Sequence, residues 1–377
     1  MDWETHARRL AADTVRPESR WYAPLATTPR HLLVPRWWEN DGGRWVLRDG
    51  ETDPEAWMRA AYADRTLVTR VGPLHADHAE PGTIAEGQPT SSSTLPGLVV
   101  SMYRHAMIAD GSRVLVTTGT GYGTALVCRR LGDELVTSVD VDPNLVTTAT
   151  QRLDAIGLHP HTAVCDITGP LPGEYDRIVS TVSVRPVPAS WLASLKPGGR
   201  LVTTIAGTGL IVTADKTDDG SAVGRIAYDG AGFMRTRHGD DYPPRPTDDL
   251  WEKVKDADGE EVTASRYPLL YPPDAWDVWS MLELAVPGID YRKADEGDAR
   301  TMWMLHADGS WARAQASGFL DGPTVHQGGP RRLWGELERV RNRLNREGML
   351  PVYGAPVRIT PDGTLTISRG AWSVTVD

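Results

Sequence analysis

An α/β fold with a doubly wound, Rossmann-like parallel sheet follows from three features of the sequence. Strand-like and helix-like runs alternate strictly between residues 96 and 207, the pattern of a parallel sheet with helices on both faces. A tight glycine turn, Gly119-x-Gly121, follows the first apolar run of that stretch. Asp140 ends the next run, 19 residues beyond Gly121. The chain has 377 residues, more than a single domain of about 100–200 residues needs. We therefore expect an N-terminal helical and hairpin extension over 1–95, the Rossmann-like domain over 96–207, and an appended α+β module over 208–377.

The elements follow from local chemistry. Residues 3–13 carry Ala7 and Leu10 at helical spacing among charges and predict an amphipathic helix. Pro29 and Pro35 bracket 30–34, which predicts extended chain. Asn40-Asp41-Gly42-Gly43 between two Trp-bearing runs predicts a hairpin, and the small residues of 87–96 predict a loop. Pro96 opens an apolar helix to Met107. Strand 113–118, helix 124–131, strand 135–140, a helix capped by Asp142-Pro143 and running to Ile156, strands 161–165 and 175–181, helix 189–195 and strand 200–205 complete the alternation. Beyond Gly207 come short strand-like runs, an acidic Pro-rich stretch 240–258, a basic helix 331–347 and a hairpin at Pro361-Asp362-Gly363.

Composition excludes several classes. Hydrophobic residues make up 40% of the chain and charged residues 24%, ordinary for a globular protein. Forty basic against 50 acidic residues give a net charge of -10, the wrong sign for a nucleic-acid binder. No apolar run approaches the ~18–20 residues of a membrane span, and the N-terminus lacks a signal-like apolar stretch, so a cytoplasmic protein is expected. Two cysteines, Cys128 and Cys165, are too few for a disulfide framework or a cysteine-based metal site. Fourteen Trp stand against two Phe, so Trp either fills core positions or builds a peptide-binding surface.

A glycine turn after the first strand lets a nucleotide cofactor approach the backbone, and an acid at the next strand end can take both hydroxyls of a ribose. Thr124 stands where a dinucleotide fingerprint has its third glycine. S-adenosylmethionine has no phosphate and needs only room and polar clamps. Asp166, after the third strand, is placed to accept from an adenine amino group, unless it and Asp140 merely cap turns.

Val114–Tyr122, Val136–Pro143, Cys165-Asp166, Tyr175–Ile178 and Lys196-Pro197-Gly198-Gly199, with Pro29–Pro35 and Leu95-Pro96 upstream, resemble the protein-L-isoaspartate O-methyltransferases over roughly residues 25–207. The resemblance implies a class I S-adenosylmethionine-dependent methyltransferase fold, with the cofactor held by Thr118, Gly119, Thr120, Gly121, Tyr122, Asp140, Val141, Asp166 and Ile167. The repair enzymes carry a Ser two residues before the entry-loop proline. The resemblance therefore implies that Thr94, or Ser93 beside it, positions the substrate carboxylate, and a flexible hydrophilic loop is the other reading of that run. Ser91–Thr94, Ser138–Pro143 and Gly329–Trp334 look like a narrower branch that accompanies ribosomal peptide maturation, including ATP-grasp-built (graspetide) and lanthipeptide systems. That branch implies methylation of an aspartate in a macrocyclised precursor peptide, followed by collapse to an aspartimide.

Such a reaction needs no general base, because an aspartate with a pKa near ~3.9 is already ionised at neutral pH. What it needs is in-line alignment and a dry pocket. Ser92, His326, Arg331 and Arg332 are the candidate substrate contacts, the arginines opening a basic helix that either receives an acidic peptide or is solvated surface. Two alternatives stay open: general isoaspartyl repair, and a non-catalytic peptide-binding protein, since Leu115-Val116-Thr117-Thr118 before Gly119 contains no acid.

Overall fold

The computed structural model describes residues 2–238, 242–243, 245–318 and 320–376. Its centre is a ten-stranded sheet. We number its strands β1 (Val114–Thr117), β2 (Val136–Asp140), β3 (His161–Val164), β4 (Tyr175–Val184), β5 (Leu195–Ile205), β6 (Leu210–Lys216), β7 (Ala222–Gly230), β8 (Pro356–Ile359), β9 (Leu365–Arg369) and β10 (Trp372–Val376). The order across the sheet is β10-β9-β8-β7-β6-β5-β4-β1-β2-β3. Strands β1 to β5 pair in parallel, and β5 to β10 are antiparallel neighbours. The alternation read from the sequence is this parallel half, which is doubly wound about β1 and β4.

The boundary expected after Gly207 is corrected by the sheet itself. Strand β6 pairs with β5 from Arg200↔Asp215 to Thr204↔Ile211, and β7 pairs with β6. The final hairpin at 361–363 forms as expected, but it returns to this same sheet, with β8 paired to β7. The remaining C-terminal residues form a five-stranded antiparallel sheet, Glu261–Ala264, Thr324–Gly328, Trp311–Ser317, Ala299–Leu305 and Asp290–Glu296 in spatial order. One apolar cluster runs from Leu201, Val212 and Ile226 of the large sheet into Leu282, Leu337 and Met304 of this part. A shared core of this kind makes the C-terminal part continuous with the sheet rather than a bead beside it. Of the stretch 240–258, Asp240, Asp241 and Pro244 lie outside the described residues; Asp248–Val254 within it is a helix.

The N-terminal extension holds the helices Trp3–Thr14 and Tyr22–Thr27 and a sheet built around Arg36–Asp41, Arg44–Asp49 and Leu67–Val71. The expected hairpin closes at Asp41↔Arg44. Two expectations are overturned. Residues Arg30–Leu33 make a helical turn, because proline restricts only its immediate predecessor: Val34 leaves the helical region (φ -137°, ψ 71°) and ends the turn. Residues Pro89–Ser93 are a strand paired with Leu67–Val71, although their small polar side chains read as loop. Their hydroxyls find partners inside the sheet, as Thr69 Oγ1 does on Ser91 Oγ at 3.3 Å. Seven of the 14 Trp are buried and none is fully exposed, which places them in packing roles.

The β6–β7 register has a direct test. A Cβ at Gly224 would lie 1.8 Å from the Thr213 carbonyl oxygen. Gly224→Ala is expected to cost about 1–3 kcal/mol through overpacking, seen as a lower thermal midpoint. An unchanged midpoint would contradict this register.

Candidate active site

The site lies where the carboxyl ends of β1 and β4 meet, the position at which the windings diverge and open α/β sheets bind their ligands. Thr117 at the end of β1 and Thr181 in β4 bond across this point, Oγ1 to Oγ1 at 2.6 Å. The turn that follows needs left-handed backbone at Gly119 (φ +50°) and Gly121 (φ +85°), where glycine carries no Cβ penalty. It is fixed to β2: the Gly119 N–H donates to Asp140 Oδ2 at 3.0 Å, and the Asp142 N–H donates to Oδ1 at 3.1 Å. Burial holds the Asp140 carboxyl above its ordinary value, against the lowering effect of these two bonds and of Arg237.

A cavity opens over this turn. It leaves about 990 Å³ of atom-free space, the solvent at its mouth included, which is the scale of small-molecule sites at about 300–1,000 Å³. Asp140, Val141, Leu145 and Ile167 form one wall. A carboxylate has about four acceptor positions, and Asp140 spends two on backbone N–H groups, so it retains capacity for a diol beside an apolar wall. That donor and acceptor set fits a nucleoside. It offers no built phosphate cradle at Thr124, whose buried hydroxyl bonds Ser138 Oγ at 2.8 Å.

The opposite chemistry comes from the strand Pro89–Ser93 and its continuation. Ser92 and Thr94 line the cavity, and among the described residues their hydroxyls make no hydrogen bond to protein. Ser93 points away. It is 2% exposed, and its hydroxyl accepts from Arg30 Nε and Nη2 at 3.4 and 3.3 Å. This corrects Ser93 as a carboxylate contact, because strand alternation sends it to the other face. A further wall was missed in the sequence. Residues 232–237, just past β7, cover the cavity and bring Arg235 and Arg237 into its lining. They are docked on β4 by Ser183 N–H to Met234 O at 2.8 Å and Thr236 N–H to Ser183 O at 3.0 Å. No local periodicity marks such a segment.

The other expected residues divide. Gly119, Asp140, Val141 and Ile167 line the cavity as expected. Thr118, Thr120 and Tyr122 line a small adjoining hollow shared with Ser92, Ser93 and Thr94; Thr118 turns its hydroxyl to Ser138 at 2.8 Å, and Tyr122 lies under Arg30 at 5.1 Å. Gly121 shapes the turn and packs on Ala149 and Leu153. Asp166 is not in the cavity lining: its Oδ1 accepts from the Thr168 N–H and hydroxyl at 2.9 and 2.7 Å, and His238 Nδ1 lies 2.7 Å from Oδ2. The Thr168 bonds are those of a turn cap. His326, Arg331 and Arg332 are also outside the lining. His326 Nδ1 accepts from Gly259 N–H at 3.2 Å, Arg331 pairs with Asp308 at 3.1 Å, and Arg332 pairs with Glu260 and Glu261 at 3.0 and 3.1 Å. Farther along the helix Leu333–Glu347, Arg343 and Arg346 pair with Glu347 and Arg339 with Glu336. Arg341 instead lies over the Tyr267 ring, 4.6 Å from its centroid.

Asp140 separates binding from stability. Its pKa is raised in the fold, so the ionised form costs native stability at neutral pH, and that cost disappears as pH falls through the raised value. Asp140→Asn removes that cost but sets an amide NH2 against one of the two backbone N–H donors, so its thermal midpoint at pH 7 should fall modestly, by the loss of one hydrogen bond. It should also weaken S-adenosylmethionine binding about tenfold or more in titration calorimetry, through loss of charged hydrogen bonds. Wild-type affinity should fall on acidification at a pH above the ordinary carboxylate range. Retained affinity in Asp140→Asn would remove the nucleoside from this wall.

Comparison with known proteins identifies the family. Residues 59–230 match the family described as protein-L-isoaspartate(D-aspartate) O-methyltransferase. The protein-L-isoaspartate O-methyltransferase of Azorhizobium caulinodans is 36% identical over 163 residues, which cover 42% of this chain and 69% of that protein. Protein-L-isoaspartate O-methyltransferase 1 of Archaeoglobus fulgidus is 29% identical over 230 residues, covering 58% of this chain and 88% of that protein. The Thermotoga maritima protein is 32% identical over 169 residues, and the chain spans only 53% of its length. A solved protein-L-isoaspartate O-methyltransferase structure aligns with 99% of this chain and 98% of its own, at 18% identity and a TM-score of 0.49. This chain belongs to the protein-L-isoaspartate O-methyltransferase family, whose members are S-adenosylmethionine-dependent carboxyl O-methyltransferases.

Proposed function

We propose that this chain methyl-esterifies the side-chain carboxylate of an aspartyl residue in a peptide. The observation that carries the reading is the cavity lining: the hydroxyls of Ser92 and Thr94 and the cations of Arg235 and Arg237 share one hollow with Asp140, and among the described residues the lining holds no His or Lys. A reaction that required a general base would want such a group within hydrogen-bond reach. A carboxylate nucleophile requires none.

S-adenosylmethionine, when bound, supplies an electrophilic methyl group on a sulfonium sulfur. Asp140 and Val141, with Gly119 and Ile167, would hold its nucleoside. Thr94 and Ser92 would donate to the substrate carboxylate and fix its orientation, and Arg235 and Arg237 would favour its entry electrostatically. The substrate carboxylate oxygen forms the new C–O bond as the methyl–sulfur bond breaks, and that electron pair stays on sulfur. Orientation and exclusion of water then carry the rate, with orientation worth roughly 7–11 kcal/mol.

The narrower reading, supported by the resemblance of Ser91–Thr94 and Ser138–Pro143, is that the peptide is a ribosomally made, macrocyclised precursor. Its methyl ester would be attacked by the next backbone nitrogen, which loses its proton as methanol departs and an aspartimide closes. The covering segment supports a substrate choice of this chain's own. Residues 232–237 begin just after residue 230, where the family match ends.

Intact-mass spectrometry with S-adenosylmethionine and two peptides tests both levels. A macrocyclised acidic peptide with an Asp-Gly step should gain a methyl group and then lose methanol, while a linear isoaspartyl peptide stays unchanged. Turnover of the linear peptide alone would replace maturation by isoaspartyl repair. Cofactor binding with no methyl gain on either peptide would favour a non-catalytic peptide-binding protein.

A further inference from the structure

We propose that Arg30 is a positioning residue that locks the substrate-side strand and the cofactor turn into one register. The inference rests on the methyl-transfer reading above. Arg30 has no exposed surface. Its Nη1 donates to the carbonyls of Ala61 and Ala63, both at 3.1 Å, and its Nη2 donates to those of Arg65, Ser93 and Thr94 at 2.9, 3.2 and 3.3 Å. The guanidinium also lies over the ring of Tyr122, 5.1 Å from its centroid.

Two segments meet on this one side chain. Ser93-Thr94 carries the hydroxyl assigned to the substrate, and Tyr122 directly follows the Gly119–Gly121 turn that anchors Asp140. The carbonyls of 93 and 94 are drawn inward by Arg30, while the next amides are held from the other side: Leu95 N–H donates to Thr66 Oγ1 at 3.2 Å, and Gly97 N–H to Asp64 Oδ1 at 2.7 Å. Thr94 is thereby fixed between two sets of bonds. Burying a cation among carbonyls, with no carboxylate bonded to it, is a costly way to close a loop. Its return is geometric, because methyl transfer from one wall to a carboxylate on another tolerates little drift: a displacement near 1 Å can lower the rate about 100-fold. Burial also pulls the Arg30 pKa down to about 10, so the cation persists through the neutral range and the fork keeps all its donors.

Arg30→Lys keeps the charge and removes the fork; Ser93→Ala removes only the hydroxyl acceptor and serves if the lysine variant does not fold. Hydrogen-exchange mass spectrometry on the full chain should show faster exchange in residues 90–95 and 118–123 together, about tenfold in Arg30→Lys and less in Ser93→Ala, with β5 unchanged. On whichever peptide is turned over, kcat should fall about 100-fold while KM stays within about threefold. Exchange that rises uniformly through β5, or in only one of the two segments, would overturn the coupling, as would an unaltered kcat in a folded variant. If wild type methylates neither peptide, the methyl-transfer reading fails alone, and the paired exchange readout still decides whether Arg30 joins the two segments.

Discussion

The site depends on one topological constraint: β1 and β4 are neighbours in the sheet, but the chain winds outward from them in opposite directions. Right-handed crossovers then put the following helices on opposite faces, and the carboxyl ends of the two strands are left uncovered. Thr117 and Thr181 meet there, the glycine turn starts there, and Asp140 is delivered to the same place by the next strand over. The other walls are added to this opening by chain from elsewhere in the sequence.

Those added walls come from opposite sides of the Rossmann-like part. The hydroxyl strand belongs to the N-terminal sheet, and it reaches the cofactor turn because Arg30 holds its carbonyls. A second tie connects the same sheet to β2: His75 Nε2 lies 3.0 Å from Asp142 Oδ2, and Asp142 accepts the Asn144 N–H at the start of the following helix. Burial pushes the Asp142 carboxyl up, but His75, the Asn144 N–H and Arg70 together bring it below its ordinary value. The covering segment 232–237 is set from the other side by Ser183. Neither wall could be assembled without the sheet that both lean on.

The C-terminal part contributes by packing rather than by charge. Its helix Leu333–Glu347 buries Leu333, Trp334, Leu337 and Val340 in the core that also contains β5 and β6, while Arg339, Arg343 and Arg346 pair with glutamates of the same helix and Arg341 lies over the Tyr267 ring. Ion pairs at such exposed positions are individually worth about 0–1 kcal/mol, so they fix little beyond the surface. Trp276 of this part packs against Gly230 at the end of β7, just before the segment carrying Arg235 and Arg237.

The residue order alone determined the parallel half of the sheet, the glycine turn and Asp140 at its strand end, because these are set by local periodicity and by conformations only glycine adopts readily. Thr94 came to notice through the resemblance to the repair enzymes, with Ser92 beside it as a candidate substrate contact. Tertiary structure decided the rest. Whether Ser93 faced the cavity depended on strand pairing with Leu67–Val71, and polar side chains that satisfy one another inside a sheet have no apolar signature. Asp166 and the basic helix looked available because their partners, His238, Glu260 and Glu261, are 71 to 72 residues away in the chain. Arg30 carried no signal of its own for the same reason: a buried cation is legible only once the five carbonyls that solvate it have been brought together by the fold.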